Sequence, residues 1–285
     1  METGVVTPGI WPKVRRVLAL ILLTVAAFIF IFPFFWMIST SLKTLREVTI
    51  FPPPLFPEVP QFENYTTAFT RAPLARYGLN SLIVCTSVIV LNIFLATLAS
   101  YTLVFLDFRG KEFIYLMLMA PQMVAGVTLM LPLFTVLHTL KLLNTYTALI
   151  IPYSVLYSPF SVMLLRGYLE TIPKELVDAA RVDGCTEITT MTRVIFPLLR
   201  PPLATIAIFL FIWSWNEFLY AMVYIQKPLL RTISVGIAML QSVPNFPPQN
   251  NIILAAATAV TMPVLILFSF MQGQFIESMT QGAIK

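Results

Sequence analysis

The chain has 285 residues, 58% hydrophobic and 11% charged, with a mean hydropathy of +0.84. That balance excludes an ordinary soluble domain, in which about a quarter of residues are charged, and points to the lipid bilayer. The net charge of +5 does not signal nucleic acid, because the 18 basic residues never form a run of five or more, so no nucleic-acid partner is expected.

A helix needs about 20 apolar residues to cross about 30 Å of hydrocarbon. Residues 1–16, with Lys13, Arg15 and Arg16, read as a cytoplasmic N-terminal tail. The apolar stretch that follows, near 17–41, is too long for a signal peptide and no small-x-small cleavage site follows it, so it reads as a retained first span. Pro52, Pro53, Pro54, Pro57 and Pro60 make the connection over 42–80 extended and ordered. Further spans are expected near 81–106, 113–137 and 145–165, then, beyond a polar segment over 166–200, near 201–225 and 253–275. Residues 276–285 form a closing tail. Pro33, Pro121, Pro132, Pro152, Pro159 and Pro263 fall inside these stretches and predict kinked helices, whose freed backbone groups neighbouring helices satisfy. With the N-terminus cytoplasmic, eleven Lys and Arg lie inside and seven outside, the sign the positive-inside rule requires.

Isolated polar residues in the spans carry little chemistry. Asn92 predicts an interhelical hydrogen bond. His138 has no second ligand near it in sequence, so no metal site is expected. Cys85 and Cys185 lack the number and spacing of a disulfide framework and read as free thiols.

The informative stretch is Arg166–Pro201, with five acidic and five basic residues. Thr171 is placed to cap a helix with Pro173 in its first turn and Glu175 at its positive end. Gly184 closes that helix. Leu176, Ala179, Ala180 and Asp183 recur at helical spacing and predict one small, mostly apolar face. A second helix begins after Thr186 and runs through Ile188, Met191 and Ile195 to Pro197, where the chain turns back to the bilayer. A helix resting on headgroups would be biased to basic residues, so the balanced charge favours a protein partner.

Here the chain resembles a family. Asp178-Ala179-Ala180-Arg181-Val182-Asp183-Gly184, then nine residues, then Val194-Ile195-Phe196-Pro197-Leu198 and Pro201, is similar to the EAA loop of binding-protein-dependent ABC importer permeases. Asp178, Val194 and Phe196 depart from that pattern conservatively. Trp213-Ser214-Trp215-Asn216-Glu217-Phe218 and Gly282-Ala283-Ile284-Lys285 resemble the sugar-importing branch typified by the maltose transporter. The resemblance implies an all-α membrane protein of six spans with a cytoplasmic helix-turn-helix, set in the bacterial inner membrane. It implies a second permease, two ATPase subunits carrying ATP and Mg, an external solute-binding protein and a sugar cargo. Coupling to the ATPase would fall to Glu175, Asp178, Ala179, Ala180, Asp183, Gly184 and Pro197. No G-x-x-x-x-G-K-[ST] run occurs in the chain, so it is expected to have no ATPase site, no catalytic residue and no cofactor of its own.

Trp213, Trp215, Asn216 and Glu217 suit a sugar path, the alternative being an interfacial aromatic belt. Glu217 lies sixteen residues from Pro201, roughly 24 Å along a helix, which sets it near the external interface. By resemblance, the external segment 226–251 contacts the binding protein, with Pro244, Asn245 and Phe246 at its tip; a plain spacer is the alternative. Within it, residues 233–241 read as helical. Glycerol phosphate or another polyol is the alternative cargo. A self-contained secondary transporter would need mid-membrane acids that the spans scarcely offer, and an intramembrane enzyme would need a nucleophile with a base.

Overall fold

The protein is described by a computed structural model that covers the backbone of residues 10–242 and 249–283 and the side chains of residues 15–241 and 249–270. Among these residues every regular element is a helix. In chain order they are α1 (Ile10–Ser41), α2 (Leu45–Thr49), α3 (Glu63–Arg71), α4 (Leu74–Phe105), α5 (Lys111–Met119), α6 (Gly126–Thr139) and α7 (Thr147–Leu169). There follow α8 (Lys174–Val182), α9 (Glu187–Thr189), α10 (Phe196–Leu198), α11 (Arg200–Asn216), α12 (Leu219–Tyr224), α13 (Ile233–Met239) and α14 (Asn250–Ala283). Four of them, within α1, α4, α7 and α14, are long and apolar enough to cross a bilayer. Two bent pairs bring the number to six when each pair is taken as one span. The expected tip, Pro244, Asn245 and Phe246, lies outside the described residues.

The expected spans need five corrections. The first helix begins at Ile10 rather than residue 17, within the expected tail. The second begins at Leu74 rather than residue 81. The third is not continuous: Lys111–Met123 and Gly126–Thr139 meet at 103°. Pro121 supplies part of the reason, since it starts a tight 3-10 turn over Ala120–Met123 and removes an amide donor. Pro33, Pro132, Pro152, Pro159 and Pro263 instead remain inside helices. The fifth breaks after Asn216, where Glu217 takes extended angles. The last stays helical to Ala283, through most of what reads as a tail.

The residues fall into two units, Met1–Arg71 with Val243–Ala259, and Ala72–Ser242 with Val260–Lys285. In the first, α1 buries none of its apolar window, so lipid or another subunit must cover it. Beyond α1, Asn64 Nδ2 donates to the carbonyls of Ser41 and Lys43 at 2.8 and 2.9 Å. Asn251 Nδ2 donates to Asn64 Oδ1 at 3.1 Å. A capping box of Thr44 and Glu47 starts α2, and Glu47 Oε1 also accepts the Glu58 amide at 2.7 Å. These amide donors, that of Glu58 foremost, hold the Glu47 carboxyl below its ordinary range. Lys43 is wholly buried, its ammonium 4.3 Å above the Trp36 ring. Burial pushes its pKa down, and Glu47 opposes that shift.

In the second unit α4 and α7 pack closely along small residues, Ala96, Ser100, Ser154 and Ser161. Small side chains let backbones approach, which in lipid takes the place of a hydrophobic drive. Asn92 Nδ2 donates to the Ser154 carbonyl at 2.9 Å, the interhelical bond its position predicts. Cys85 and Cys185 are free thiols. The larger core gathers Tyr101, Phe105, Val162, Leu165, Ile206 and Leu210, and it includes Val177 of α8. A second core holds α12 against α6, with Tyr220 and Tyr224 hydroxyls donating to the carbonyls of Gly126 and Met130 at 2.5 and 2.7 Å.

Candidate functional site

The polar segment folds as a helix, a turn and a second helical piece. The start of α8 differs from expectation: Thr171 Oγ1 donates to the Tyr168 carbonyl, and Pro173 occupies the cap without a side-chain bond. At the other end Gly184 adopts φ +83°. The Gly184 amide donates to Arg181 O at 3.0 Å and the Cys185 amide to Ala180 O at 2.9 Å. Those two bonds form a Schellman closure, which needs the left-handed conformation glycine takes without strain. Thr186 then caps the next piece, accepting from the Thr189 amide at 3.3 Å.

The second piece is less regular than its periodicity predicts. After the single turn of α9 the backbone widens to a π-helix over Thr190–Ile195. Pro197 does not stop it but sits in the first turn of α10, where a missing amide costs nothing. The turn towards α11 falls at Leu199, with 78° between Glu187–Leu198 and Arg200–Asn216.

The face of α8 also needs correcting. Val177 and Ala180 point inward, 1% and 7% exposed. Ala180 therefore leaves the expected face, on which Leu176, Ala179 and Asp183 remain exposed, with Glu175, Asp178 and Val182 exposed beside them. Val182 at 88% and Ile188 at 72% exposure flank the Gly184 turn. Exposed aliphatics beside acidic groups, on a capped and buried support, make a surface suited to a protein partner.

Arg181 and Glu187 fasten this module. Arg181 Nε donates to Glu187 Oε1 at 2.8 Å, one guanidinium nitrogen to Asp178 Oδ1 at 3.0 Å, and another to the Phe105 carbonyl at 3.4 Å. Tyr101 of α4 donates to Glu187 Oε2 at 2.7 Å. Arg181 first, then the Tyr101 hydroxyl, holds the Glu187 carboxyl below the usual carboxylate range. A lowered pKa means this tie is complete above the ordinary carboxylate range and is lost as pH falls through the lowered folded value. Tyr101→Phe is expected to cost about 0.5–1.5 kcal/mol, read as a lower Tm of the purified importer. The gap in Tm between wild type and Glu187→Gln should stay constant from about pH 6 to 8 and narrow only below about pH 4. A gap that widens in acid would contradict the tie. A comparable clasp joins α5 to α7, where Arg166 grips Glu112 at 2.9 and 3.2 Å and Glu170 at 2.9 Å.

The proposed pathway residues separate. Trp215 is 3% exposed and stacks on Phe211 at 5.3 Å, away from any opening. Trp213, Asn216 and Glu217 line a cleft of about 520 Å³ together with Gln122, Tyr157 and Phe160. Glu217 sits at the break and caps α12, accepting the amides of Tyr220 at 2.9 Å and Ala221 at 3.1 Å and the hydroxyl of Tyr153. A second cavity, about 420 Å³ beside Pro121, Leu133 and Val155, is lined by apolar side chains and offers a polyol no hydrogen bond.

Four helices long and apolar enough to cross a bilayer, or six with the bent pairs, together with a helix-turn-helix fastened to α4, fit a membrane permease. Residues 89–281 match the family described as binding-protein-dependent transport system inner membrane component, and the chain belongs to that family. It is 38% identical to the sulfoquinovosyl glycerol transport system permease SmoH of Agrobacterium fabrum, over 90% of this chain and 89% of that one. It is 35% identical to the arabinooligosaccharides permease AraQ of Halalkalibacterium halodurans, covering 91% and 92%. With the trehalose/maltose permease MalG of Thermococcus litoralis it shares 32% identity, covering 95% and 97%. Its fold matches that of a bacterial ABC transporter involved in import of the acidic polysaccharide alginate, with a TM-score of 0.81 at 20% identity over 94% and 99% of the two chains.

Proposed function

We propose that this chain is one of two permease subunits of a sugar importer, driven by two ATPase subunits that hold ATP and Mg and fed by an external solute-binding protein. The N-terminus is cytoplasmic, and α8 with the turn after it docks on an ATPase subunit. Closure of the ATPases pushes α8 as a body, because its C-terminal end is closed by the Gly184 turn and its inner face is anchored at Val177 and Ala180. The observation that carries the reading is the pair Val182 and Ile188, exposed on either side of the Gly184 turn. Relatives named for saccharide cargoes, SmoH, AraQ and MalG, support a sugar rather than glycerol phosphate or another polyol.

The test is cysteine cross-linking in the assembled importer with Cys185 replaced by serine. Val182→Cys and Ile188→Cys are expected to cross-link to the ATPase subunit, and Val177→Cys, buried on the inner face, is not. Absence of any cross-link from the two exposed positions in an importer that transports normally would remove the docking assignment.

A further inference from the structure

We infer that the cleft at the α11 break takes a neutral saccharide and rejects acidic ones, and that Gln122, Tyr157 and Phe160 join Trp213, Asn216 and Glu217 in setting that choice. The inference rests on the reading of the chain as a sugar permease. Three aromatic rings meet there: Trp213 lies 5.3 Å from Tyr157 at 51° and 5.0 Å from Phe160 at 70°. Inclined faces of this kind offer flat apolar area to the C–H surfaces of a pyranose ring and nothing to an anion. Asn216 Nδ2 donates to the Ile212 carbonyl at 2.8 Å, which leaves its Oδ1 and second hydrogen to the cleft. Gln122 is exposed at the opposite edge, on the 3-10 turn of the α5 to α6 bend. Amides both donate and accept, as hydroxyls do.

The charge balance of the cleft decides the class. Among the described residues that line it none is lysine, arginine or histidine, and the one ionisable acid is Glu217. Glu217 takes two amide donors and one hydroxyl donor from its own surroundings, and no cation offsets it. A uronate or sulfonate brought against that carboxylate would meet like charge with no lining cation to offset it. Neutral hydroxyls would donate to its free lone pairs.

The complete importer with its binding protein, in proteoliposomes, would be offered radiolabelled neutral trisaccharides (maltotriose, raffinose, arabinotriose) and acidic ones of equal length (guluronate and galacturonate trimers). At least one neutral glycan is expected to accumulate, with uptake falling ten-fold or more in Trp213→Ala and Asn216→Leu and changing less than two-fold in Trp215→Phe. Asn216 is exposed, so Asn216→Leu keeps the fold where Trp213→Ala fails to assemble. Accumulation of an acidic glycan that depends on Trp213 and Asn216 would overturn the neutral class while keeping the sugar path. Neutral uptake indifferent to both variants would overturn the cleft. Accumulation of no saccharide in either group would overturn the sugar reading itself, and this inference with it.

Discussion

Gly184→Val is expected to lower transport at least ten-fold while the subunit stays in the membrane, with ATP hydrolysis no longer stimulated by the loaded binding protein. No heavy atom lies within 4 Å of where a Cβ would sit at Gly184, so the defect is not steric crowding. It is the backbone: at φ +83° an ordinary L-residue costs about 1–2 kcal/mol, and a β-branched one more. If the turn relaxes to negative φ it loses the Cys185 to Ala180 bond, and Val182 and Ile188 no longer flank one fixed corner. Asparagine, which tolerates the left-handed region, should retain more activity than alanine, and alanine more than valine. Asp183→Ala separates shape from contact. Its side chain is exposed, so the variant is expected to melt like the wild type and still uncouple. Transport at the wild-type rate in Gly184→Val, with unchanged ATPase stimulation, would show that the turn does not carry the coupling.

Much of this architecture is legible in the sequence, and the gaps have physical causes. Apolar runs report transfer into lipid, and that free energy is nearly the same for a straight helix and a broken one. The six stretches are therefore readable, whereas the 103° bend after Pro121 is not. Six prolines look alike in sequence, yet five remain inside helices, because whether a freed carbonyl finds a partner depends on what packs beside it. Local chemistry is read in part: a helical piece starts after Thr186, Gly184 takes the left-handed turn and Asn92 bonds across to α7, whereas Thr171 does not cap α8. The face of α8 is ambiguous because Leu176, Val177, Ala179, Ala180 and Val182 offer two stripes, and the core around Val177 selects the second.

Trp215 illustrates a signal that was present. Two residues along a helix turn the side chain by about 200°, so Trp213 and Trp215 must face opposite ways, and only one can line the cleft. The tie from Tyr101 to Glu187 had no such signal, since 86 residues separate the partners. It follows that the helix-turn-helix is readable from the chain, but the face α8 turns outward and its attachment to α4 are properties of the fold.

Gly236→Ala is expected to be the most crowded of the Gly→Ala changes among the described residues. An added Cβ would lie 2.2 Å from Tyr77 Cδ2, 3.0 Å from Cε2 and 3.2 Å from Cγ, against the root of a ring that is 4% exposed and has no free end to swing away. Nor is α13 free to retreat from α4. The Ile233 amide donates to Ser81 Oγ at 2.9 Å, and Asn80 Nδ2 donates to the carbonyls of Leu229 and Arg231 at 2.9 and 2.8 Å. Relieving the clash would stretch those three bonds. Overpacking costs about 1–3 kcal/mol, and each weakened bond adds about 0.5–1.5 kcal/mol, enough to lower Tm by several degrees. A second change, Tyr77→Ala, should cost stability alone yet recover part of the loss when combined with Gly236→Ala, a coupling a double-mutant cycle measures. Strict additivity of the two, or a wild-type Tm for Gly236→Ala, would mean that α13 and α4 are not locked at this point. The position bears on function because α13 lies within the segment 226–251 that the family resemblance assigns to the binding protein. In a Gly236→Ala importer that still assembles, the loaded binding protein should therefore stimulate ATP hydrolysis less than in the wild type, while basal hydrolysis stays the same.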